Sequence, residues 1–226
     1  MTIHYRKPST YIAVVVMLFC VWGMYHAVRM GMADVIAYKA KYQVKIWEKE
    51  GRLPTADEAD YALDKASSAL AWEPGNPELM DLKAHVLTYT ALLHWGDEQF
   101  AGISDEVVQL YQRSTQRRPK WPYTWARLAL VKAYRGEFDA LYREAVSKAV
   151  KFGPWEPGVH KTLAEAGLSG WSQLDRDTKR HHVENIHRGL RFEAKALTAM
   201  VARYQNRDQV CAFLPNDKFT KRFCGW

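Results

Sequence analysis

The chain has 226 residues and a formal net charge of +7, from 32 Lys and Arg against 25 Asp and Glu. This length can bury a substantial core, and one domain with an appendage is the expected arrangement. The basic residues are spread along the chain without a dense run, so we expect no nucleic-acid partner. Tryptophan and tyrosine are frequent, at 9 and 12 residues, which argues against a disordered chain.

An apolar stretch near the N-terminus predicts a membrane anchor. The residues between Lys7 and Arg29 include no Asp, Glu, Lys or Arg, and Arg6 adds a second basic residue before them. Its apolar part would rise about 27 Å as a helix, at about 1.5 Å per residue, close to the ~30 Å of a hydrocarbon core. We therefore predict an N-terminal tail over 1–10 and a single transmembrane helix over 11–29.

A cleaved signal peptide is the alternative, with Gly31-Met32-Ala33 as a small-x-small cleavage site. The apolar run is longer than a usual signal core, and Arg29 lies between the run and that site, so the uncleaved anchor is favoured. The basic residues after the anchor outnumber those before it, which favours a cytoplasmic domain by the positive-inside rule. These residues are Arg29, Lys39, Lys41 and Lys45.

The cysteines favour the opposite orientation. Cys211 and Cys224 lie near the C-terminus on either side of a Pro-Asn-Asp turn, whereas Cys20 lies within the anchor. A disulfide between the two would close a short loop and add about 3 kcal/mol of stability. Such a bond persists only in an oxidising compartment. Cys211 and Cys224 are therefore a disulfide candidate, with two unrelated reduced thiols as the alternative.

The rest of the chain predicts helices and no convincing strand, so the expected class is all-α. A helical stalk is expected over 30–54, and Thr55 and Glu58 form a capping box for a helix that runs to about Trp72. The further predicted helices are 77–95, 105–117 with Ser104 as its cap, 156–168, a polar helix capped by Ser172 or Asp175 that runs to about 190, and 193–205.

Residues 121–157 predict two helices back to back. Gly136 provides the tight turn between them, and Gly153-Pro154 ends the second helix because proline lacks the N–H that continuation needs. Small residues at helical spacing followed by a proline are typical of a tetratricopeptide-like unit.

A second copy of this pattern lies upstream. Ala62, Ala69 and Pro74 are spaced by seven and five residues, and Ala149 and Pro154 repeat the step of five. The step from Leu141 to Ala149 is eight, so the match needs a one-residue insertion. We predict a tetratricopeptide-like repeat domain over 55–205 and a cysteine-bracketed tail over 206–226; an ordinary helical core is the alternative.

The sequence contains no G-x-S-x-G, H-E-x-x-H, P-loop or dinucleotide-binding motif, so we expect no enzyme. His181, His182 and His187 are the densest histidine group, but their spacing does not place three ligands on one helical face. We expect a solvated polar face there, with no metal and no cofactor.

Aromatic and basic side chains around the central unit are candidates for binding a partner protein or a glycan, because tryptophan stacks on sugar rings and cations attract acidic groups. Trp125 and Trp155 are expected to fill gaps between helices, whereas Trp121 and Trp171 lie at helix ends and could face a ligand. The binding candidates are Arg117, Arg118, Lys120, Trp121, Arg127 and Trp171.

These features can be compared with a known family. The run RRPKWPYTWARLALVKAYRGEFD, the following KFGPWEPGV, the Gly167-Leu168-x-x-Trp171 segment and the two C-terminal cysteines resemble the VpsP family of bacterial exopolysaccharide biosynthesis proteins. The resemblance is most specific between Arg117 and Trp171. It implies a small inner-membrane protein with a periplasmic tetratricopeptide-like domain that works with polysaccharide assembly machinery.

Three functions follow as hypotheses. The first is a non-enzymatic scaffold that docks a membrane polymerase, ligase or exporter of exopolysaccharide assembly on its helical-repeat surface. The second is a glycan-binding module that contacts the nascent polysaccharide directly. The third is an enzyme acting on the polymer or its lipid carrier, which paired carboxylates flanking a cleft would indicate.

Overall fold

The computed structural model describes residues 8–225. Its α-helices are α1 Pro8–Glu50, α2 Ala56–Trp72, α3 Pro77–Leu93, α4 Glu98–Arg117, α5 Pro122–Tyr134, α6 Ala140–Phe152, α7 Pro157–Leu168, α8 Arg176–Gly189, α9 Ala194–Tyr204, α10 Arg207–Cys211 and α11 Lys218–Cys224. The described range contains no β-strand, so the predicted all-α class is confirmed. Arg6 and Lys7 lie outside the described residues.

The first half of α1 extends away from the folded domain. Its apolar side chains between Tyr11 and Val28 are exposed, and Cys20 is exposed among them. The helix is long and apolar enough to cross a membrane. An exposed apolar helix of this length is what a lipid environment requires, because its backbone hydrogen bonds are satisfied internally.

The second half of α1 belongs to the folded domain. Its buried residues recur every three or four positions and pack against α2 and α3; they are Ala33, Ala37, Ala40, Val44 and Trp47. Residues 30–50 of the predicted stalk (30–54) are therefore the first helix of the domain, and α1 connects the apolar segment to the domain without a loop.

Three short linkers share a Pro-x-x-Pro pattern. They are Pro74–Pro77, Pro119–Pro122 and Pro154–Pro157, and in each the second proline is the first residue of the next helix. Proline is favourable at that position because its missing N–H would have no partner there and its φ is already helical. The three linkers therefore end α2, α4 and α6 and start α3, α5 and α7 in the same way.

The residues around these linkers are buried at matching positions. Five residues before the first proline lie Ala69, Ser114 and Ala149, and seven residues before those lie Ala62, Val107 and Tyr142, all fully buried. Seven residues after the second proline lie Ala84, Ala129 and Ala164, also fully buried. Because Tyr142, and not Leu141, occupies the equivalent position, the spacing needs no insertion. The sequence comparison had aligned the wrong residue.

The helices form two layers. In one layer α1 contacts α3, α3 contacts α5, α5 contacts α7 and α7 contacts α9. The helices α2, α4, α6 and α8 pack on the other side of these, each against its neighbours in sequence. The small residues near the linkers allow the close approach of paired helices that this arrangement requires.

Two predicted segments differ from the structure. Helix α4 begins at Glu98, where Asp97 Oδ1 accepts a hydrogen bond from the Gln99 amide at 2.7 Å. Ser104 is buried within α4 and does not cap it, because its hydroxyl donates to the Ala101 carbonyl at 3.0 Å. The predicted tail over 206–226 contains two helices, α10 and α11, within its described part.

Two glycines provide a test of this packing. A Cβ on Gly167 of α7 would lie 2.5 Å from the ring of His182, whereas one on Gly102 of α4 would meet nothing within 4 Å. We expect Gly167→Ala to lower the free energy of unfolding by about 1–3 kcal/mol through overpacking. The control Gly102→Ala should raise it by up to about 1 kcal/mol, because alanine favours the helix. Urea unfolding of the detergent-solubilised chain measures both; equal effects would contradict the packing of α7 on α8.

Candidate functional site

A cleft lies on the α1–α3–α5 side of the domain and has a volume of about 580 Å³. Its walls come from α1, α3, α5 and the linker between α4 and α5. The lining residues are Lys41, Glu78, Asp81, Leu82, His85, Arg118, Trp121, Tyr123 and Arg127. Three of the predicted binding residues, Arg118, Trp121 and Arg127, are therefore brought together in one cleft.

A buried carboxylate organises one wall of this cleft. Asp81 is only 5% exposed, and its Oδ2 accepts hydrogen bonds from Arg118 Nη2 at 2.7 Å and from the Thr124 hydroxyl at 2.5 Å. Burial raises the pKa of Asp81, while the bond from Thr124 and the charge of Arg118 offset part of that rise. A buried carboxylate needs such partners, so Arg118 is held in place by Asp81.

Arg118 also fixes the position of an aromatic ring. Its guanidinium lies 5.1 Å from the ring centroid of Trp121, within the usual range for a cation–π contact. Trp121 remains 44% exposed and lies beside Tyr123, whose hydroxyl donates to Glu156 Oε2 at 2.5 Å. The cleft therefore presents a partly open indole face held by a neighbouring cation.

Arg127 is the cleft cation that lacks an acidic partner. Lys41 is paired with Glu78 at 2.5 Å and Arg118 with Asp81, whereas Arg127 has no carboxylate within ion-pair distance among residues 8–225. Its side chain is half-buried. A half-buried guanidinium without a carboxylate can accept a carboxylate or phosphate from a ligand in a bidentate geometry.

The charge of Arg127 affects its neighbours. Burial, and secondarily the charge of Arg127, lowers the pKa of His85 well below its usual range. His85 is therefore neutral at pH 7 and adds no positive charge to the cleft. Burial also raises the pKa of Tyr89, one turn further along α3, to about 12. The available positive charge in the cleft is thus concentrated on Arg127.

The other predicted binding residues lie elsewhere. Arg117 and Lys120 are exposed beside the linker, outside the residues that line the cleft. Trp171 is only 3% exposed and packs edge-to-face on Phe213 at 6.1 Å between ring centroids, so its ring has no open face for a ligand. Trp171 is therefore a core residue, because the segment before α8 folds back onto the domain.

The two tryptophans expected to fill gaps behave differently. Trp125 is buried and donates from Nε1 to the Pro119 carbonyl at 2.9 Å, as predicted for a filling residue. Trp155 is exposed, because the linker before α7 turns it away from the domain. The expectation for Trp155 was wrong.

The three histidines of α8 have separate environments. His182 is fully buried, which corrects the expected solvated face, and His187 Nε2 lies 2.6 Å from a carboxylate oxygen of Asp217. The Tyr142 hydroxyl donates to the Ala166 carbonyl at 3.1 Å, so its contact with His182 Nε2 at 2.8 Å requires the proton on that nitrogen. Residues 8–225 contain no group of three side chains suited to a metal ion.

Sequence reasoning missed the α3 wall of the cleft. Glu78, Asp81 and His85 lie on one side of a largely apolar helix, at steps of three and four residues. The spacing of these three polar residues was the sequence signal that could have indicated a functional face on α3. The spacing did not indicate which residues of α5 that face would meet.

The C-terminal cysteines lie as predicted. Cys211 in α10 and Cys224 in α11 are at disulfide-bonding distance, with their Cα atoms 5.8 Å apart. This spacing is within the range that a disulfide allows. The pair joins the two short helices at the end of the domain.

Comparison with protein-family models and with curated proteins gives no match to this chain. The resemblance to the VpsP family therefore stays a prediction. The chemistry of the cleft, the apolar half of α1 and the cysteine pair are the observations on which a function can be argued.

The burial of His182 in the folded state predicts that the stability of the domain depends on pH. Burial lowers the pKa of His182 to about 3, against about 6.5 in the unfolded chain. The unfolded state therefore binds the proton more readily, and stability is lost as the pH falls below about 6.5. Between pH 7 and pH 5 we expect His182 to account for a loss of about 2 kcal/mol.

Urea unfolding at the two pH values measures this loss, and the variant His182→Gln supplies the control because glutamine does not titrate. The wild type should lose about 2 kcal/mol more than the variant between pH 7 and pH 5. An equal loss in both proteins would mean that His182 is protonated without cost in the folded state.

Proposed function

We propose that this protein is a membrane-anchored, non-enzymatic accessory protein of exopolysaccharide synthesis or export. In this proposal, α1 holds the chain in the inner membrane and the helical domain docks another component of the assembly machinery. The resemblance between residues 117 and 171 motivates the process. The cleft around Arg127 is the observation that carries the docking role.

We further propose that α1–α8 form a tetratricopeptide-like array of helix pairs. The matched Pro-x-x-Pro linkers and the small buried residues at fixed distances from them support this arrangement. Arrays of this kind use the layer of first helices as a binding face for a helix or an extended segment. The cleft lies on α1, α3 and α5, which would be those first helices.

The chemistry of the cleft favours an acidic partner segment. Arg127 offers a guanidinium that pairs with no carboxylate of residues 8–225, and the exposed part of Trp121 offers an apolar surface in the same cleft. A carboxylate on Arg127 with an adjacent apolar side chain on Trp121 would use both features. The proposed partner is a component such as a polymerase, ligase or exporter that presents this combination.

A glycan is the second candidate ligand. Tryptophan faces stack on sugar rings, and an acidic polysaccharide would also supply a carboxylate for Arg127. Trp121 lies beside Arg118 and lines the same cleft as Arg127, so an acidic glycan is favoured over a neutral glycan. It differs from the first proposal in requiring direct binding of purified polymer.

Catalysis is the least favoured role. The cleft does contain two carboxylates, Glu78 and Asp81, but each is held by a cation, Lys41 or Arg118. A hydrogen bond from Lys41 lowers the pKa of Glu78, which makes it a poor proton donor. Neither carboxylate is free in the way that acid–base chemistry on a polymer would require.

Reversing the charge of Arg127 tests the docking role. We expect Arg127→Glu to reduce recovery of the partner from detergent-solubilised membranes by at least about tenfold, because a charge contact in a desolvated cleft is worth about 2–5 kcal/mol. The matched control is Arg113→Glu, which reverses an exposed arginine on α4, away from the cleft. Affinity purification of each tagged variant, with polymer output as a second readout, measures the effect.

Unchanged recovery with Arg127→Glu would exclude this cleft as the docking site. The glycan alternative predicts instead that the purified chain binds the polymer, with quenching of tryptophan fluorescence that Arg127→Glu abolishes and Arg113→Glu preserves. The absence of quenching over a wide range of polymer concentration would exclude direct contact.

We propose that the domain lies in the periplasm, because the cysteine pair at disulfide distance would persist in an oxidising compartment. Thiol labelling of intact cells tests this location. We expect an impermeant maleimide to label Cys211 and Cys224 only after treatment with an impermeant reductant. The variant with both cysteines changed to serine is the control for labelling at Cys20. Labelling only after lysis, without a reductant, would place the domain in the cytoplasm.

A further inference from the structure

The domain begins very close to the end of the apolar segment. Val28 is the last residue of the apolar run, and Ala33 is the first residue of α1 buried in the domain. Because α1 is one continuous helix, they are separated by about 7.5 Å along its axis, at about 1.5 Å per residue. The headgroup layer on each side of a bilayer is about 5–8 Å thick. If α1 spans a membrane, the domain must start within or directly above that layer.

The first linker lies at this same level. Arg29 Nε donates to the Trp72 carbonyl at 2.9 Å, which joins α1 to the end of α2. A small cavity is lined by His26 and Arg29 of α1 together with residues 73–77. The turn from α2 to α3 is therefore beside the point where α1 leaves its apolar segment.

The three linkers lie next to one another. Arg117 reaches the first linker, since its Nη1 would be 3.6 Å from a Cβ placed on Gly75. Gly153 abuts Pro122 of the second linker, whose Cβ would be 2.8 Å from a Cβ placed on that glycine. The linkers thus form one continuous edge, named here the linker edge and made of residues 72–77, 117–122 and 151–157.

The linker edge exposes aromatic and basic side chains. Each segment contributes one exposed tryptophan: Trp72 at 38%, Trp121 at 44% and Trp155 at 62%. Its exposed cations are Arg117, Lys120 and Lys151. Tryptophan concentrates at membrane–water interfaces because its ring is apolar and its N–H is polar, and basic residues are attracted to anionic headgroups.

The opposite edge has a different character. The turns between α3 and α4 and between α5 and α6 contain three acidic residues, Asp97, Glu137 and Asp139, against one arginine, Arg135. Trp95 is exposed there, but its ring packs edge-to-face on Phe100 at 5.0 Å and on Tyr134 at 5.9 Å. The linker edge also contains Glu73 and Glu156, but both are half-buried, so its exposed charges are basic, whereas the exposed charges of the two opposite turns, Asp97 and Asp139, are acidic. This charge asymmetry favours contact of the linker edge, and not of the opposite edge, with an anionic surface.

We infer that the linker edge rests on the headgroup layer of an anionic membrane leaflet, with Trp72, Trp121 and Trp155 at the level of the headgroups. This inference rests on the proposed membrane anchoring of α1. It gives Arg117, which lies outside the cleft, a role in binding lipid headgroups. It also places the mouth of the cleft at Trp121 next to the membrane surface.

Fluorescence quenching in a bilayer of defined composition tests the inference. The full chain is reconstituted into nanodiscs of phosphatidylethanolamine and phosphatidylglycerol that contain a lipid with a nitroxide on its headgroup. A fluorophore is attached at Lys120→Cys on the linker edge or at Glu98→Cys on the opposite edge, in both cases with Cys20→Ala. The two positions lie at opposite ends of α4, whose 20 residues span about 30 Å at about 1.5 Å per residue.

We expect the headgroup nitroxide to quench the probe at position 120 several-fold more strongly than the probe at position 98. Equal quenching at the two positions, or stronger quenching at position 98, would overturn the inference. Circular dichroism of each labelled variant verifies that both retain the helical fold.

A separate arm distinguishes failure of the anchor from failure of the linker edge. The native Cys20 is labelled in the otherwise unchanged chain, and the nitroxide is moved to the lipid acyl chain. Quenching at Cys20 without quenching at position 120 would overturn only the linker-edge inference. The absence of quenching at Cys20 would overturn the membrane anchoring, and the linker-edge inference with it.

Discussion

Close approach of paired helices at small buried residues is the constraint on which the rest of the structure depends. Ala69, Ser114 and Ala149 are fully buried near the ends of α2, α4 and α6, each five residues before a linker proline. A larger side chain at these positions would separate the layers, because protein interiors have no spare volume. The cleft exists because this packing fixes the positions of α1, α3 and α5 relative to one another. The linker edge exists because α2, α4 and α6 all end in the same kind of turn.

The continuity of α1 is the second constraint. A flexible connection would let the domain move away from a membrane, but α1 leaves the apolar segment and enters the core as one helix, and its last buried residue is Trp47. The hydrogen bond from Arg29 to the Trp72 carbonyl adds a contact at the same level. The cleft residue Lys41 lies about 18 Å along the helix from Arg29, at about 1.5 Å per residue. If α1 spans a membrane, a partner in the cleft would therefore lie close to the membrane surface.

The cleft derives its chemistry from unequal pairing of its charges. Burial of Asp81 requires cationic and hydroxyl partners, and Arg118 and Thr124 supply them. That pairing neutralises Arg118 and leaves Arg127 as the cation able to meet an external anion. The exposed charges of Arg117 and Lys120 do not share this environment, because solvent screens them. Arg127 is therefore proposed to bind a ligand in the cleft, whereas Arg117, only ten residues earlier, is proposed to contact lipid headgroups.

The sequence by itself determined the features that depend on local chemistry: the helical class, the apolar helix, the proline linkers and the Thr55–Glu58 cap, in which each side chain accepts a hydrogen bond from the other residue's backbone N–H. Prolines and capping residues act on their immediate neighbours, and an apolar run of this length needs no partner to be recognised. Tertiary structure alone decided that Arg127 lines one cleft with His85 and Asp81, that Trp171 and His182 are buried, and that Trp155 is exposed. Helical periodicity indicates which residues share a face, but the element that covers that face comes from a distant part of the chain.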